Sequence, residues 1–167
     1  MSLAIPYVLD AAAETAPGAV VRVAHRDLTA AELGRRTVAG AERCLAEGMM
    51  PGDRIPLPPL DAVDGIVDAL AAARIGLVLC EGSAAGNGSA TGDGSLRAEA
   101  AHGDRDVAES RVWSETPVAI VGGRTLTHGD VIGLAGRADD PGPEALRPLP
   151  AVLRSIATAM GPGDVTR

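Results

Sequence analysis

The chain contains no lysine: all 15 of its basic residues are arginine. A Walker-type phosphate loop needs a lysine to reach the terminal phosphates, and Schiff-base catalysis needs a lysine amine, so both are excluded. Arginine can hold a phosphate bidentately, but as a planar fork and not as a compact ammonium. Phenylalanine is also absent, and there is one tryptophan and one tyrosine. The core must be built from Ala, Val, Leu and Ile, which bury less area per residue than aromatics. Modest stability follows for 167 residues, and burial against a partner would add to it.

Long apolar runs are missing as well. No stretch of about 18 uncharged apolar residues occurs, so no membrane span or membrane partner is expected. The opening MSLAIPYVLDAAAE has no positive n-region and meets Asp10 early, unlike a signal peptide, and a cytoplasmic protein is expected. Positive charge is in deficit: the formal net charge is −7, which argues against a nucleic-acid partner. Only two cysteines are present. Cys44 falls on the apolar stripe of a helix and Cys80 at the end of an apolar strand, which suits buried reduced thiols. Neither they nor His25, His102 and His128 show CxxC or HxxxH spacing, so no metal or cofactor is expected. A lysine-free chain rich in Arg, Ala and Gly also fits a high-GC bacterial genome.

What is present is organised most clearly over residues 26–57, RDLTAAELGRRTVAGAERCLAEGMMPGDRIPL. Thr29 with Glu32 three residues on reads as a capping box. Leu33, Thr37, Ala41, Cys44 and Leu45 recur at helical spacing, and Gly48 stands where a C-terminal cap belongs. Pro51-Gly52-Asp53 is a turn, and Arg54 to Leu57 leaves it extended. Before this unit, residues 4–15 predict a helix with Val8, Leu9, Ala12 and Ala13 inward. Ala19 to Ala24 predicts a strand and His25-Arg26-Asp27 a turn. After it, Asp61 is expected to cap a third helix, with Val63, Ile66, Val67, Leu70 and Ala73 on one face and Asp64, Asp68 and Arg74 off it. Leu77 to Cys80 suits a buried parallel strand, and the helix–strand alternation implies an α/β layer.

The order of these parts resembles the opening of the adenylate-forming ligases, which include acyl-CoA ligases and peptide-synthetase adenylation domains. That family's pattern reads R-x-L-T-Y-A-E-L, then a helix, then G-V-x-P-G-D-R-V. The matching residues are Arg26, Leu28, Thr29, Ala31, Glu32, Leu33, Gly48, Pro51, Gly52, Asp53 and Arg54. The likeness continues through Val63 to Gly76, with DALAAARIGLVLC similar to A-x-L-A-x-x-x-A-G-A-x-x-V-P. It covers about the first half of the chain. The resemblance implies a small layered α/β domain like part of the ligase N-terminal subdomain, and these positions are scaffold there. It also implies that adenylation would need a Gly/Ser/Thr-rich loop ending Pro-Lys-Gly, a downstream acidic motif and a mobile C-terminal domain with a catalytic lysine. A truncated, degenerate, non-catalytic homologue is therefore expected, acting as an accessory or interaction subunit in an acyl-activation or natural-product pathway. The alternative is a ligand-binding or partial-enzyme subunit that needs another chain to complete an adenylate or acyl site.

Three regions are expected: a ligase-like unit over 1–81, a Gly/Ser/Ala-rich linker over 82–105, and a second strand–turn–helix unit over 106–167 packed on the first. The second unit echoes the first. TPVAIVGGRTLTHGDVIGLAGR at 116–137 resembles APGAVVRVAHRDLTAAELGRR at 16–36, with Thr127 and Asp130 repeating Thr29 and Glu32. ATAMGPGDV at 157–165 echoes AEGMMPGDR at 46–54. Either the hairpin–helix unit is repeated, or 106–134 is a degraded phosphate-loop region, with Val112 to Pro117 the loop and Leu126-Thr127-His128 the segment after it. Gly122-Gly123 between apolar runs favours a hairpin and hence the repeat.

Candidate chemistry is thin. Thr127 and Asp130 are explained by capping, and His128, in the first helical turn, is expected to be exposed. Ser110, Ser114 and Ser155 have no nucleophile elbow. Asp61, Asp64 and Asp68 read as a solvated face. No catalytic residue is assigned. The expected interaction residues are Trp113, as an anchor, and Val152, Leu153, Ile156 and Met160, the stripe of a last helix starting near Pro150. A fragment that leaves such a stripe bare would pair as a homodimer or bind a carrier protein or full-length ligase.

Overall fold

The computed structural model describes residues 4–82, 112–137, 139–140 and 142–161. The expected linker over 82–105 lies outside them except for Gly82. The order is α1 (Ile5–Thr15), β1 (Val20–Val23), β2 (Arg26–Thr29), α2 (Ala30–Ala46), β3 (Arg54–Pro56), α3 (Val63–Arg74) and β4 (Val78–Cys80). Then come β5 (Pro117–Val121), β6 (Arg124–Thr127), α4 (His128–Ala135), a 3-10 turn (Glu144–Leu146) and α5 (Pro148–Met160). Strands β1 and β2 form an antiparallel hairpin of their own. The other four make one sheet in the order β3-β4-β5-β6, parallel from β3 to β5 and antiparallel at β6. Every residue of β4 is buried, as a central parallel strand covered on both faces requires.

Capping chemistry sets the ends of α2. Thr29 Oγ1 accepts from the Glu32 backbone N–H at 3.1 Å. At the other end Gly48, at φ 83°, reverses the chain. Its N–H reaches the Leu45 carbonyl, and the Met49 N–H reaches that of Cys44, both at 3.0 Å, which completes a Schellman motif. Helix α5 begins at Pro148, two residues before the expected start, because Pro148 already supplies the fixed φ that the first helical position favours. Arg154 of α5 then closes α4, donating to the carbonyls of Leu134, Ala135 and Arg137 at 3.3, 2.9 and 3.0 Å.

Several local expectations need correction. The first hairpin turns at Ala24-His25, so Arg26 and Asp27 belong to β2. Glu32 does not return to the Thr29 backbone; its carboxylate binds Arg36 at 2.6 Å, so only half of the expected capping box forms. Ala62, not Asp61, precedes α3, and it makes no side-chain cap. Arg74 is not off the apolar face. It is buried at 3% exposure and donates two hydrogen bonds to Asp10 of α1, at 3.0 and 2.6 Å. Asp10 remains half-exposed, so the pair spans from core to surface.

One aliphatic cluster joins both halves of the chain. Ile5, Leu9, Leu33, Ile66, Leu70, Leu79, Val118, Leu126, Val131 and Ile156 are all members. Close packing depends on small residues where elements cross. A Cβ on Gly65 would lie 1.8 Å from the Pro59 carbonyl oxygen, and one on Gly40 would lie 2.7 Å from Ala71 Cβ.

Candidate functional site

The polar groups with the most chemical potential gather at the start of α4. Thr127 Oγ1 accepts from the Asp130 N–H at 3.2 Å, while the Thr127 N–H donates to Asp130 Oδ2 at 2.9 Å. This is a complete capping box. The Thr127 backbone N–H, then its hydroxyl, hold the Asp130 carboxyl below the usual carboxylate range. The next two helix donors are also occupied. The His128 N–H reaches the Thr116 carbonyl at 3.1 Å, and the Gly129 N–H reaches that of Ser114 at 2.8 Å. A helix N-terminus binds an anion through free N–H groups. Here the chain's own oxygens take them.

His128 is fully buried, contrary to the exposure expected for a first-turn residue. The β6–α4 junction tucks beneath α1, and His128 Nδ1 accepts from the Ile5 backbone N–H at 3.3 Å. A neutral imidazole that accepts at Nδ1 carries its proton at Nε2, which has no partner among the described residues. Burial lowers the pKa to about 4. This imidazole therefore pins α1 to α4 and is not poised for proton transfer near neutral pH.

The segment that could have been a phosphate loop is a tight turn. The Trp113 N–H donates to Thr116 Oγ1 at 2.9 Å, and the Thr116 N–H returns to the Trp113 carbonyl at 3.1 Å. Ser114 Oγ donates to Glu115 and does not meet an imidazole. Ser155 Oγ accepts from the Arg22 N–H at 2.9 Å, sealing the outer edge of β1. Ser110 lies outside the described residues. No nucleophile–base pair is assembled among the described residues.

The sequence-predicted interaction residues separate into two groups. Trp113 is 61% exposed. Its chain neighbour Val112 and Pro51 both lie against Gly76, at the amino ends of β3 and β4, and Met50, next to Pro51 in the chain, is also exposed. Val152, Leu153 and Ile156 instead are buried, and Met160 is partly buried. Helix α5 folds back on β1, α1 and α4, so the stripe expected to be a free contact face is spent inside the chain.

Asp61, Asp64 and Asp68 are exposed, and Asp68 pairs with Arg43 at 3.5 Å. Among the described residues no group of three or more His, Cys, Asp and Glu side chains lies close enough to hold a metal ion. No helix there is long and apolar enough to cross a membrane. Cys80 is buried, and burial first, then Glu47 and Asp68, pushes the half-buried Cys44 thiol up, so it is poorly suited to act as a nucleophile. A groove of about 440 Å³ between α1 and α2 is lined by Asp10, Glu14, Arg35 and Glu42 together with the small apolar Ala13 and Ala39.

Two structural centres went unread in the sequence. Arg74 follows Ile66 and Leu70 at steps of four, which was a legible sign that it shares their buried face. His128 had no comparable local sign, because the partner of its side chain is the Ile5 N–H of α1, 123 residues earlier.

The sequence matches no family model and no curated protein. Solved structures do match. The N-terminal subdomain of NpsA from Klebsiella oxytoca aligns with a TM-score of 0.62 at 16% identity, over 94% of this chain and 52% of that one. NpsA-ThdA, an artificially fused adenylation–PCP di-domain from the same organism, aligns at 0.64 and 14%, over 94% and 39%. The NpsA subdomain in complex with anthranilyl-AMSN aligns at 0.56 and 15%, over 80% and 42%. The chain thus has the fold of the N-terminal subdomain of adenylate-forming ligases, as the motifs of 26–57 implied, and spans about half or less of the length of these structures.

Proposed function

We propose that this chain is a non-catalytic relative of the adenylate-forming ligases that works as an accessory or protein-interaction subunit, in an acyl-activation or natural-product pathway. The observation that carries this reading is the occupied N-terminus of α4. Thr127, Thr116 and Ser114 take the N–H groups that would otherwise meet a phosphate. No lysine stands anywhere in the sequence to replace them. What the fold leaves for function is surface, including the exposed Trp113. A carrier protein or a full-length ligase is the partner class proposed, and the fused adenylation–PCP neighbour supports that choice. ATP–pyrophosphate exchange with fatty, aryl and amino acids should stay at background. Robust exchange that co-purifies with this chain alone overturns the reading.

A second reading is a partial enzyme that holds an acyl-adenylate with help from another chain. It draws on the NpsA subdomain having been captured with anthranilyl-AMSN. Calorimetry with an aryl-adenylate analogue separates the two readings: the accessory reading expects no heat of binding, and saturable binding favours the partial enzyme.

A further inference from the structure

We propose that the exposed face of α2 pairs with the same face of a second copy, antiparallel and two-fold, at the groove between α1 and α2. This deepens the accessory reading, on which it rests, by naming one partner and its surface.

Ala31, Arg35, Val38, Ala39, Glu42 and Ala46 recur every three or four residues on one side of α2, and all are exposed or only partly buried. Their order is self-complementary. A two-fold axis crossing the helix between Val38 and Ala39 sets Arg35 opposite the partner's Glu42 and Glu42 opposite the partner's Arg35. It sets Val38 on the partner's Ala39 and Ala31 on the partner's Ala46. An isologous interface needs this property, because each residue must meet the mirror position of its own sequence.

The two charges, Arg35 and Glu42, lack ion-pair partners among the described residues, whereas neighbouring Arg36 and Arg43 are matched to Glu32 and Asp68. Seven residues of helix separate Arg35 from Glu42 by about 10 Å, too far for a pair in cis. Val38 and Ala39 between them are short enough to let a second helix approach closely, and the groove of about 440 Å³ alongside provides the space. The α5 stripe cannot serve the same purpose, since Val152, Leu153 and Ile156 are buried within the chain.

Sedimentation and light scattering of the full chain at micromolar concentration, in low salt, test the pairing. The native chain should be a dimer that weakens in 1 M NaCl. Arg35→Glu and Glu42→Arg should each weaken association by about tenfold or more, since either change creates two like-charge contacts. The double variant Arg35→Glu/Glu42→Arg should recover the dimer with both pairs reversed. Thermal melts confirm that each variant folds, and Arg35→Gln and Glu42→Gln replace any that does not. A native monomer overturns the proposal. So does a dimer indifferent to the single changes, or a double variant no better than the singles. Failure here is distinct from failure of the accessory reading: an active dimer in pyrophosphate exchange sinks only the latter, and an inactive monomer sinks only this pairing.

Discussion

The chain builds a hairpin followed by a capped helix twice, over 20–46 and 117–135, and the two copies share their wiring. In each, a threonine hydroxyl caps the helix, and the segment entering the hairpin offers carbonyls to the first helical N–H groups. Ala30 and Ala31 use those of Ala19 and Pro17, at 2.9 and 3.1 Å. His128 and Gly129 use those of Thr116 and Ser114, one residue further back because β5 carries a bulge between Pro117 and Ala119. Their surroundings differ. The first hairpin stands as a separate two-stranded sheet whose outer edge meets Ser155, while the second completes the four-stranded sheet. Local hydrogen-bonding chemistry therefore repeats independently of tertiary position. What tertiary position decides is what meets the first helical residue: Ala30 and His128 are both buried, but only the His128 side chain takes a backbone N–H from α1.

The largest way to break the comparison is to charge His128. Its folded pKa of about 4 lies below the ordinary 6.5, so the unfolded chain takes up a proton that the native core refuses. Stability is complete above pH 6.5 and falls as pH drops toward 4, by on the order of 3 kcal/mol. Asp130, whose pKa is also lowered, loses its contribution only below the usual carboxylate range, so the two effects occupy different windows. Urea melts from pH 7.5 to 4 should show the loss in the native protein and a much flatter profile in His128→Leu. Parallel profiles would mean that His128 is protonated without penalty, and hence not held as described.

The caps make a smaller contrast. Thr29→Ala should cost about 1 kcal/mol and Thr127→Ala up to about 2, because only the second sits in a complete box. Asp130→Ala should cost about 1 kcal/mol, whereas Glu32→Ala should cost only a few tenths through the lost Arg36 pair. Chemical denaturation of the four variants checks this order. Equal costs at Glu32 and Asp130 would show that Glu32 does reach back to the helix start in solution.

Most of the fold was legible because its signals are local. Thr29, Gly48, Pro51-Gly52-Asp53 and Gly122-Gly123 each fix a turn or a helix end by their own backbone chemistry, and the structure has all four where the pattern puts them. Leu77 to Cys80 was readable as a buried strand because a short apolar run between glycines has few other solutions. The Glu32 box failed since two local partners competed and Arg36, one turn on, won. The α5 stripe was read correctly as apolar and wrongly as free, for periodicity reports that a face is buried and not what buries it. His128 is the extreme case, since the hydrogen bond to its side chain comes from Ile5 of α1, 123 residues earlier.

The last contrast lies in the two hairpin turns. Gly122 and Gly123 turn the second at φ 55° and 74°, a conformation open to glycine without steric cost. Ala24 turns the first at φ 51° with a Cβ that crowds the backbone there. Gly122→Ala should therefore destabilise by about 1 kcal/mol, as left-handed backbone penalises any side chain. Ala24→Gly removes the same strain but gives the unfolded chain more freedom, and these terms nearly offset, so a gain of only about 0.5 kcal/mol or less is expected. Opposite signs in paired urea melts would show that both turns demand left-handed backbone and that only the second has the residue suited to it. A clear loss from Ala24→Gly would instead mean that the Ala24 side chain contributes packing against the core that outweighs its strain.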